Sequence, residues 1–363
     1  MKSKILLLNT LVSIVGASPV EPRQLLNFEL LDDTPDPVTA SIPVGPTAAT
    51  QTYNLAAATQ SAISVPLVEK RELNKRGNCT AEPAGAGPVP SPDTVEAFLA
   101  FSDLSSAAND AAVPSGYVST FTDLQASSSA YGYLGFTNLD SYDPAACAAK
   151  CNSIGDACSG INIYFERDPS LTPSDGCPNP ASTTNIKCVF WGGSLNTANT
   201  KNAGQYREQF EVVIAGSNGY MKTRVPEVSG YTGVSLGDAA INAPLNCLGQ
   251  DTFMGSKIFS TSYFDPNLCA AACASTTKYD VEHTAAGEAP KICNYFVTFL
   301  AAENGTPQGQ YCSLYTQSWD KSYATNDGQW RGTDHYTNEY AFAYTNSICG
   351  GNPACPKGTH DDY

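Results

Sequence analysis

Two nine-residue segments share one cysteine pattern, which restricts the possible folds more than any other feature of the chain. Residues 143–151 and 265–273 each begin with Asp-Pro and carry two cysteines four positions apart. Aspartate is a good helix N-cap, and proline suits the first helical position. Both segments are therefore predicted to begin helices, on which cysteines at i and i+4 share one face. Each predicted helix directs two thiols into one core.

The similarity between the two halves continues in register after each helix. A cysteine opens a β-branched and aromatic run at 158–165 and again at 293–299, and such runs are typical of strands. A second strand is predicted to open at Cys188 and at Cys312, each followed by an Asn-x-Gly-Gln-aromatic-Arg sequence. The cysteine and the glutamine of this sequence are 17 residues apart in both copies. The chain therefore contains one cysteine-framed unit twice.

A helix with two cysteines, followed by two strands that each open with a cysteine, resembles the PAN/Apple fold. The resemblance implies an α+β protein of two tandem disulfide-stapled units, each a helix packed on an antiparallel sheet. It also implies four bonds: Cys147–Cys188, Cys151–Cys158, Cys269–Cys312 and Cys273–Cys293. With its ERDPS and FWGG stretches at 166–170 and 190–193, the chain further resembles a group of secreted ascomycete proteins of unassigned activity.

The N-terminus has the features of a targeted and processed protein. Two lysines, an apolar run and a Val-Gly-Ala triplet predict a signal peptide over 1–17, cleaved after Ala17. Segment 18–76 lacks cysteine and ends in two dibasic pairs, the second at Lys75-Arg76. It is predicted to be a propeptide removed after Arg76, or else a disordered segment that stays attached.

The remaining boundaries follow from the repeated motifs. They are an N-terminal extension with an amphipathic helix (77–130), the first unit (131–218), a linker (219–246), the second unit (247–346) and a C-terminal tail (347–363). All 13 cysteines follow Arg76, as expected for a part that folds in an oxidising compartment. The predicted location is therefore secreted, either extracellular or in the cell wall.

Several features outside the four implied bonds remain open. Five cysteines are left for closing bridges, at positions 79, 177, 247, 349 and 355. Cys247 is predicted to pair with Cys349 or with Cys355, and the sequence does not choose between them. Asn78 and Asn304 begin glycosylation sequons, of which the second lies in a predicted loop and is the better candidate.

The charge of the chain excludes some classes of partner. The formal net charge is -15, and the first 76 residues hold 7 basic and 7 acidic residues, so the remainder carries all of it. Such a protein is repelled by nucleic acid and by anionic membrane surfaces. Glycans and extracellular proteins remain as predicted partners. No cofactor or metal is predicted, because close thiols oxidise after secretion rather than bind zinc.

Two patterns raise the alternative of a secreted hydrolase. Residues 233–237 match the Gly-x-Ser-x-Gly nucleophile elbow around Ser235, but no apolar strand precedes them, so a linker is favoured. Glu166 and Asp168 flank Arg167 and suggest the paired carboxylates of a glycosidase. A loop-fixing ion pair is the favoured interpretation of these three residues. A structural cell-wall component is a further alternative.

The leading hypothesis is a non-catalytic module that binds glycan or protein at the fungal cell wall or a host surface. Exposed aromatic side chains would supply the stacking surface, although most strand aromatics are predicted to belong to the core. Trp319 and Trp330 flank a polar loop and are the preferred surface candidates. The arginine of each Gly-Gln-aromatic-Arg box is predicted to satisfy loop carbonyls. The candidate binding residues are Trp191, Tyr206, Arg207, Trp319, Trp330 and Arg331.

Overall fold

The computed structural model describes residues 25–37, 42–47, 79–260 and 263–347. The helices in this part of the chain are α1 (Phe28–Asp32), α2 (Val95–Leu99), α3 (Ser102–Asn109), α4 (Pro144–Ile154) and α5 (Pro266–His283). The strands are β1 (Tyr117–Leu124), β2 (Tyr133–Leu139), β3 (Gly160–Pro169), β4 (Ser182–Trp191), β5 (Gly204–Arg207), β6 (Phe210–Lys222), β7 (Tyr231–Gly237), β8 (Ala240–Ile241), β9 (Phe253–Phe259), β10 (Tyr295–Glu303), β11 (Thr306–Tyr315), β12 (Ala324–Asn326), β13 (Gly328–Arg331) and β14 (Asp334–Asn346). None of these helices is long and apolar enough to span a bilayer.

Helices α4 and α5 begin where the Asp-Pro pattern predicts. The carboxylate of Asp143 accepts hydrogen bonds from the N–H groups of residues 145 and 146, and that of Asp265 accepts one from residue 267. A proline occupies the first position of each helix. Helix α4 ends before Gly155, whose φ of 89° is readily adopted only by glycine. The prediction of two capped helices is confirmed.

Most of the strands form two antiparallel sheets built on the same plan, and β8 and β12 form a separate two-stranded sheet. The first sheet has the order β1-β6-β3-β4-β2, with β5 paired to β6. The second has the order β13-β14-β10-β11-β9, with β7 paired to β14. The register is also equivalent, because Ile163 lies opposite Cys188 in one sheet and Thr298 lies opposite Cys312 in the other. The two halves thus share a helix, a central strand pair and a short hairpin.

Two disulfides bond each long helix to its half of the chain. The four bonds are Cys147–Cys188, Cys151–Cys158, Cys269–Cys312 and Cys273–Cys293, the same pairs that the resemblance implied. A fifth bond joins Cys79 to Cys177 and so attaches the N-terminal extension. Cys247 is also disulfide-bonded. Its predicted partners, Cys349 and Cys355, lie outside the described residues, so that pairing stays a prediction.

Each sheet buries side chains on both of its faces. The face that carries the bonded cysteines is called here the disulfide face, and it packs against α4 or α5. The other is called the opposite face. In the first sheet the opposite face holds Tyr164, Val189 and Trp191, and in the second it holds Phe299 and Tyr311. Strict alternation of side chains along the strands produces this division.

The segment predicted as a linker, 219–246, contains strand structure. Strand β6 continues to Lys222, β7 forms an edge of the second sheet against β14, and β8 pairs with β12. The linker prediction was wrong for these residues. Over most of its length β7 has only exposed and half-buried positions, so its sequence carries no apolar run. The linker was predicted because such a run is missing.

The N-terminal extension packs on the first sheet as two short helices rather than one. Phe98 of α2 and Leu104 of α3 are buried in the core of the disulfide face, as the apolar spacing indicated. The helix cap is Thr94, whose side chain accepts a hydrogen bond from the N–H of residue 97. Asp93, in the predicted cap segment, instead binds the backbone N–H of Ser182 and the guanidinium of Arg167.

Part of segment 18–76 is folded against both sheets. Helix α1 packs on the opposite face of the second sheet, where Leu26 and Leu31 are buried. Ile42 packs on the opposite face of the first sheet. The alternative of a disordered segment was therefore wrong for residues 25–37 and 42–47. The predicted cleavage sites at Ala17 and Arg76 lie outside the described residues.

Candidate functional site

The Gly-Gln-aromatic-Arg box forms the same hairpin in both halves. Strand β5 pairs with the start of β6, and β13 pairs with the start of β14, each through a two-residue turn. The box glycines, Gly204 and Gly328, have φ values of 119° and 124°. A Cβ atom at either position would collide with a carbonyl oxygen of the partner strand. Glycine is thus required where each hairpin begins, which explains its recurrence.

The structure separates the four aromatic binding candidates into two groups. Tyr206 and Trp330 are 68% and 67% exposed. Trp191 and Trp319 are 1% and 6% exposed, so they cannot offer a stacking surface, and those predictions were wrong. Strand alternation directs Trp191 into the core of the opposite face, and the indole N–H of Trp319 donates to Thr252 Oγ1.

The exposed indole of Trp330 is held by its cross-strand neighbour. Trp330 lies opposite His335 in the hairpin register, and their rings stack with centroids 4.4 Å apart and planes 16° from parallel. In the first half Tyr206 lies opposite Glu211 and donates a 2.8 Å hydrogen bond to its carboxylate. The Trp330 ring is therefore fixed in orientation while most of its surface remains in solvent.

A cavity of about 360 Å³ adjoins the stacked pair of Trp330 and His335. This volume lies within the range of about 300 to 1,000 Å³ that is usual for small-molecule sites. The polar side chains in its wall include three amides and a carboxylate, from Asn242, Asn326, Gln329 and Asp327. In such an arrangement the aromatic ring can stack on the apolar face of a sugar, and the amide and carboxylate groups can hydrogen-bond the sugar hydroxyls.

The box arginines contact acidic side chains rather than loop carbonyls. Both terminal nitrogens of the Arg331 guanidinium donate to the Asp32 carboxylate, at 2.7 and 2.8 Å, and this pairing lowers the pKa of Asp32. Arg207 Nη2 lies 3.2 Å from Glu82 Oε1. The predicted role in satisfying loop carbonyls was wrong. In both halves the arginine holds a segment from the N-terminal side of the chain.

Glu166 and Asp168 lie on the opposite face of the first sheet, beside a buried lysine. Lys187 Nζ is 2.6 Å from Glu166 Oε1, and both side chains are almost completely buried. The Asn185 amide donates a 2.6 Å hydrogen bond to Asp168. Burial, together with the neighbouring Glu166 carboxylate, raises the pKa of Asp168 well above its ordinary value. Folding therefore favours the protonated form of Asp168.

Arg167 points to the other face of the same strand, as alternation requires. Its guanidinium binds Asp93 at 2.9 Å and lies 4.3 Å from the centre of the Phe210 ring. The predicted ion pair among residues 166–168 was therefore wrong. Glu166 finds its cation on β4 instead, one strand away.

The arrangement offers little support for either hydrolase alternative. Glu166 and Asp168 are 3% and 1% exposed, whereas glycosidase carboxyls face each other across a sugar cleft. Ser235 lies within edge strand β7 opposite Phe342, and not on a strand-to-helix turn. Among the described residues, no group of three His, Cys, Asp or Glu side chains is placed to hold a metal ion.

Replacing Asp168 with asparagine is expected to make stability less dependent on pH. An acid whose pKa is raised on folding binds extra protons in the folded state at pH values between its unfolded and folded pKa. Its contribution to stability therefore declines as the pH rises from the unfolded pKa towards the folded pKa. The free energy of unfolding of wild type should therefore fall, relative to Asp168→Asn, by up to about 1.4 kcal/mol per pH unit above pH 4. Urea unfolding from pH 4 to 8 measures this difference. Asp175→Asn, at an exposed position, is the control and should follow wild type.

The glycosylation candidate Asn304 lies exposed at the turn between β10 and β11, with a φ of 49°. Its amide donates a 3.0 Å hydrogen bond to Asp334. Glycan attachment there stays a prediction. Asn78 lies outside the described residues.

Sequence reasoning missed several parts of the Trp330 cavity. His335 could have been found, because a two-residue turn after Arg331 places it opposite Trp330. Leu25 and Asn242 also contribute to the wall, but they are distant in sequence and carry no local signal.

No protein-family model matches the chain, and no curated protein and no solved structure is significantly similar to it.

Proposed function

We propose that the protein is a secreted, non-catalytic module that binds a neutral glycan at the cavity beside Trp330. The observation that supports this most directly is a two-thirds exposed indole, stacked on His335, at the edge of a cavity lined with amide side chains. The PAN/Apple resemblance of the two cysteine-framed units implies a binding role of the same kind. The five disulfides are compatible with a secreted protein.

The chemistry of the cavity favours a sugar over other small molecules. A pyranose ring presents C–H groups on one face, which pack on an indole, and hydroxyl groups at its edge. The amide oxygens of Asn326 and Gln329 already accept from the backbone N–H groups of Gly328 and Leu26, so their contribution to such hydroxyls is mainly as donors, while Asp327 offers acceptors. The net charge of -15 disfavours acidic sugars, because it repels anions. A neutral glycan, such as one from a cell wall, fits these conditions.

The proposal predicts that Trp330→Ala abolishes most of the glycan affinity. Removing a central aromatic contact typically costs about 2 kcal/mol or more, so the dissociation constant should rise at least about thirtyfold. A glycan array with the purified full chain identifies the ligand, and calorimetric titration of wild type and variant then measures the loss. Trp330→Phe should keep part of the affinity, since it keeps an aromatic face.

Tyr206→Ala is the matched control. Tyr206 occupies the equivalent box position of the first half and is equally exposed, but it does not line the cavity. It should bind as wild type does. A glycan ligand whose affinity is unchanged in Trp330→Ala would show that the cavity is not the site. An array with no binding, accompanied by a protein partner that depends on Trp330, would replace the glycan with a protein as the ligand.

A further inference from the structure

The N-terminal segment contacts the two sheets at equivalent positions. Lys187 and Tyr311 each directly precede the cysteine that bonds the sheet to the first cysteine of its helix, and both lie on the opposite face. Lys187 Nζ donates to the carbonyl oxygen of Pro43 at 2.5 Å, and the Tyr311 hydroxyl accepts from the N–H of Asn27 at 3.0 Å. Residues 25–37 and 42–47 of the N-terminal segment therefore reach the same point in the two halves.

The first anchor of this segment is helix α1 on the second sheet. Leu26 and Leu31 are 5% and 8% exposed, although both come from a stretch of only six residues. Phe28 packs edge-on against Tyr336, with ring centroids 4.9 Å apart. The guanidinium of Arg331 lies 4.7 Å from the centre of the Phe28 ring while it binds the Asp32 carboxylate. Apolar, cation–π and ionic contacts thus coincide on one short helix.

The second anchor is residues 42–47 on the first sheet. Ile42 packs among the side chains of the opposite face. The N–H of Gly45 donates to Glu166 Oε1 at 3.2 Å, while Lys187 binds both that carboxylate oxygen and the carbonyl of Pro43. The buried ion pair of the first sheet is therefore capped by backbone groups of the N-terminal segment.

Both anchors precede the dibasic pairs at 70–71 and 75–76, so a cut there leaves them together on one fragment. Two anchors on one chain act as a bivalent ligand, because release of either leaves the other holding it nearby. We propose that the opposite faces of the two sheets are a peptide-binding surface for this segment, and that cleavage at the dibasic pairs leaves the fragment bound. The processed protein is then a two-piece complex, in which Leu25 still lines the Trp330 cavity.

The test uses the full chain with the recognition sequence of a site-specific protease in place of residues 69–76, which makes the cut certain. After cleavage, native size-exclusion chromatography at micromolar concentration is followed by mass spectrometry of each fraction. The N-terminal fragment should co-elute with the body and should separate from it only in denaturant. Elution of the wild-type fragment on its own would overturn the proposal.

Variants of the first anchor show whether the contacts described here hold the fragment. Phe28→Ala combined with Asp32→Asn should speed dissociation of the fragment at least about tenfold, measured by dilution of the cut complex. Asp33→Asn is the matched control, since Asp33 is the exposed neighbour of Asp32 and forms no ion pair with a described residue. Its fragment should dissociate at the wild-type rate. Equal rates for all three proteins would overturn the assignment of α1 as an anchor.

Discussion

Replacing Cys147 and Cys188 together with alanine is expected to lower the free energy of unfolding by about 4 kcal/mol. The bond closes a loop of 41 residues, and the chain-entropy account assigns about this value to a loop of that length. Both cysteines are fully buried between α4 and the first sheet. A domain of ordinary stability has about 5 to 15 kcal/mol in total, so this loss would bring the first half close to unfolding.

The short bond of the same helix supplies the control. Cys151–Cys158 closes only 7 residues, and its removal is expected to cost about 2 kcal/mol on the same account. Urea unfolding of wild type and the two double variants, followed by circular dichroism, gives the comparison. The second half repeats it with loops of 43 and 20 residues, for which about 4 and about 3 kcal/mol are expected. Equal costs for the long and short bonds would contradict an origin in loop closure.

The two capped helices, each with two cysteines on one face, were predictable because their signals are local, whereas the pairing of the cysteines was implied only by the resemblance to the PAN/Apple fold. An Asp-Pro cap and two thiols on one helix face are properties of nine consecutive residues, and the repeat supplied each of them twice. Strand β7 was missed because it is an edge strand. Most of its side chains are exposed or half-buried, so its sequence has no apolar run that would indicate a strand. The folding of residues 25–37 was missed for a different reason. Helix α1 has only five residues, and contacts with partners about 300 positions away stabilise it.

Of the candidate site, the sequence predicted the exposed Trp330 but not the residues that surround it. The exposure of Trp330 follows from the polar hairpin that carries it, and its sequence neighbours indicated this. Trp319 has equally polar neighbours, but tertiary contacts with Thr252 and Tyr323 bury it. The ion pair between Glu166 and Lys187 required knowledge of the β3–β4 register, which determines that the two side chains share a face.

Replacing Lys187 with methionine is expected to destabilise the protein by about 3 to 5 kcal/mol at neutral pH. The Lys187 side chain is fully buried, with its ammonium 2.6 Å from Glu166 and 4.5 Å from the centre of the Phe136 ring. Methionine fills nearly the same volume but leaves the Glu166 carboxylate without its cation. Removing one partner of a buried ion pair typically carries this cost, because a buried charge is left uncompensated.

The double variant Glu166→Gln/Lys187→Met separates the charge from the packing. With both charges gone, most of the lost stability should return, since apolar or neutral replacement of a whole buried pair is often close to neutral. Urea unfolding of wild type, both single variants and the double variant completes the thermodynamic cycle. A loss below about 1 kcal/mol for Lys187→Met would mean that water reaches the pair as at an exposed site. The N-terminal cap over Glu166 and Lys187 would then fail to seal the first sheet from solvent.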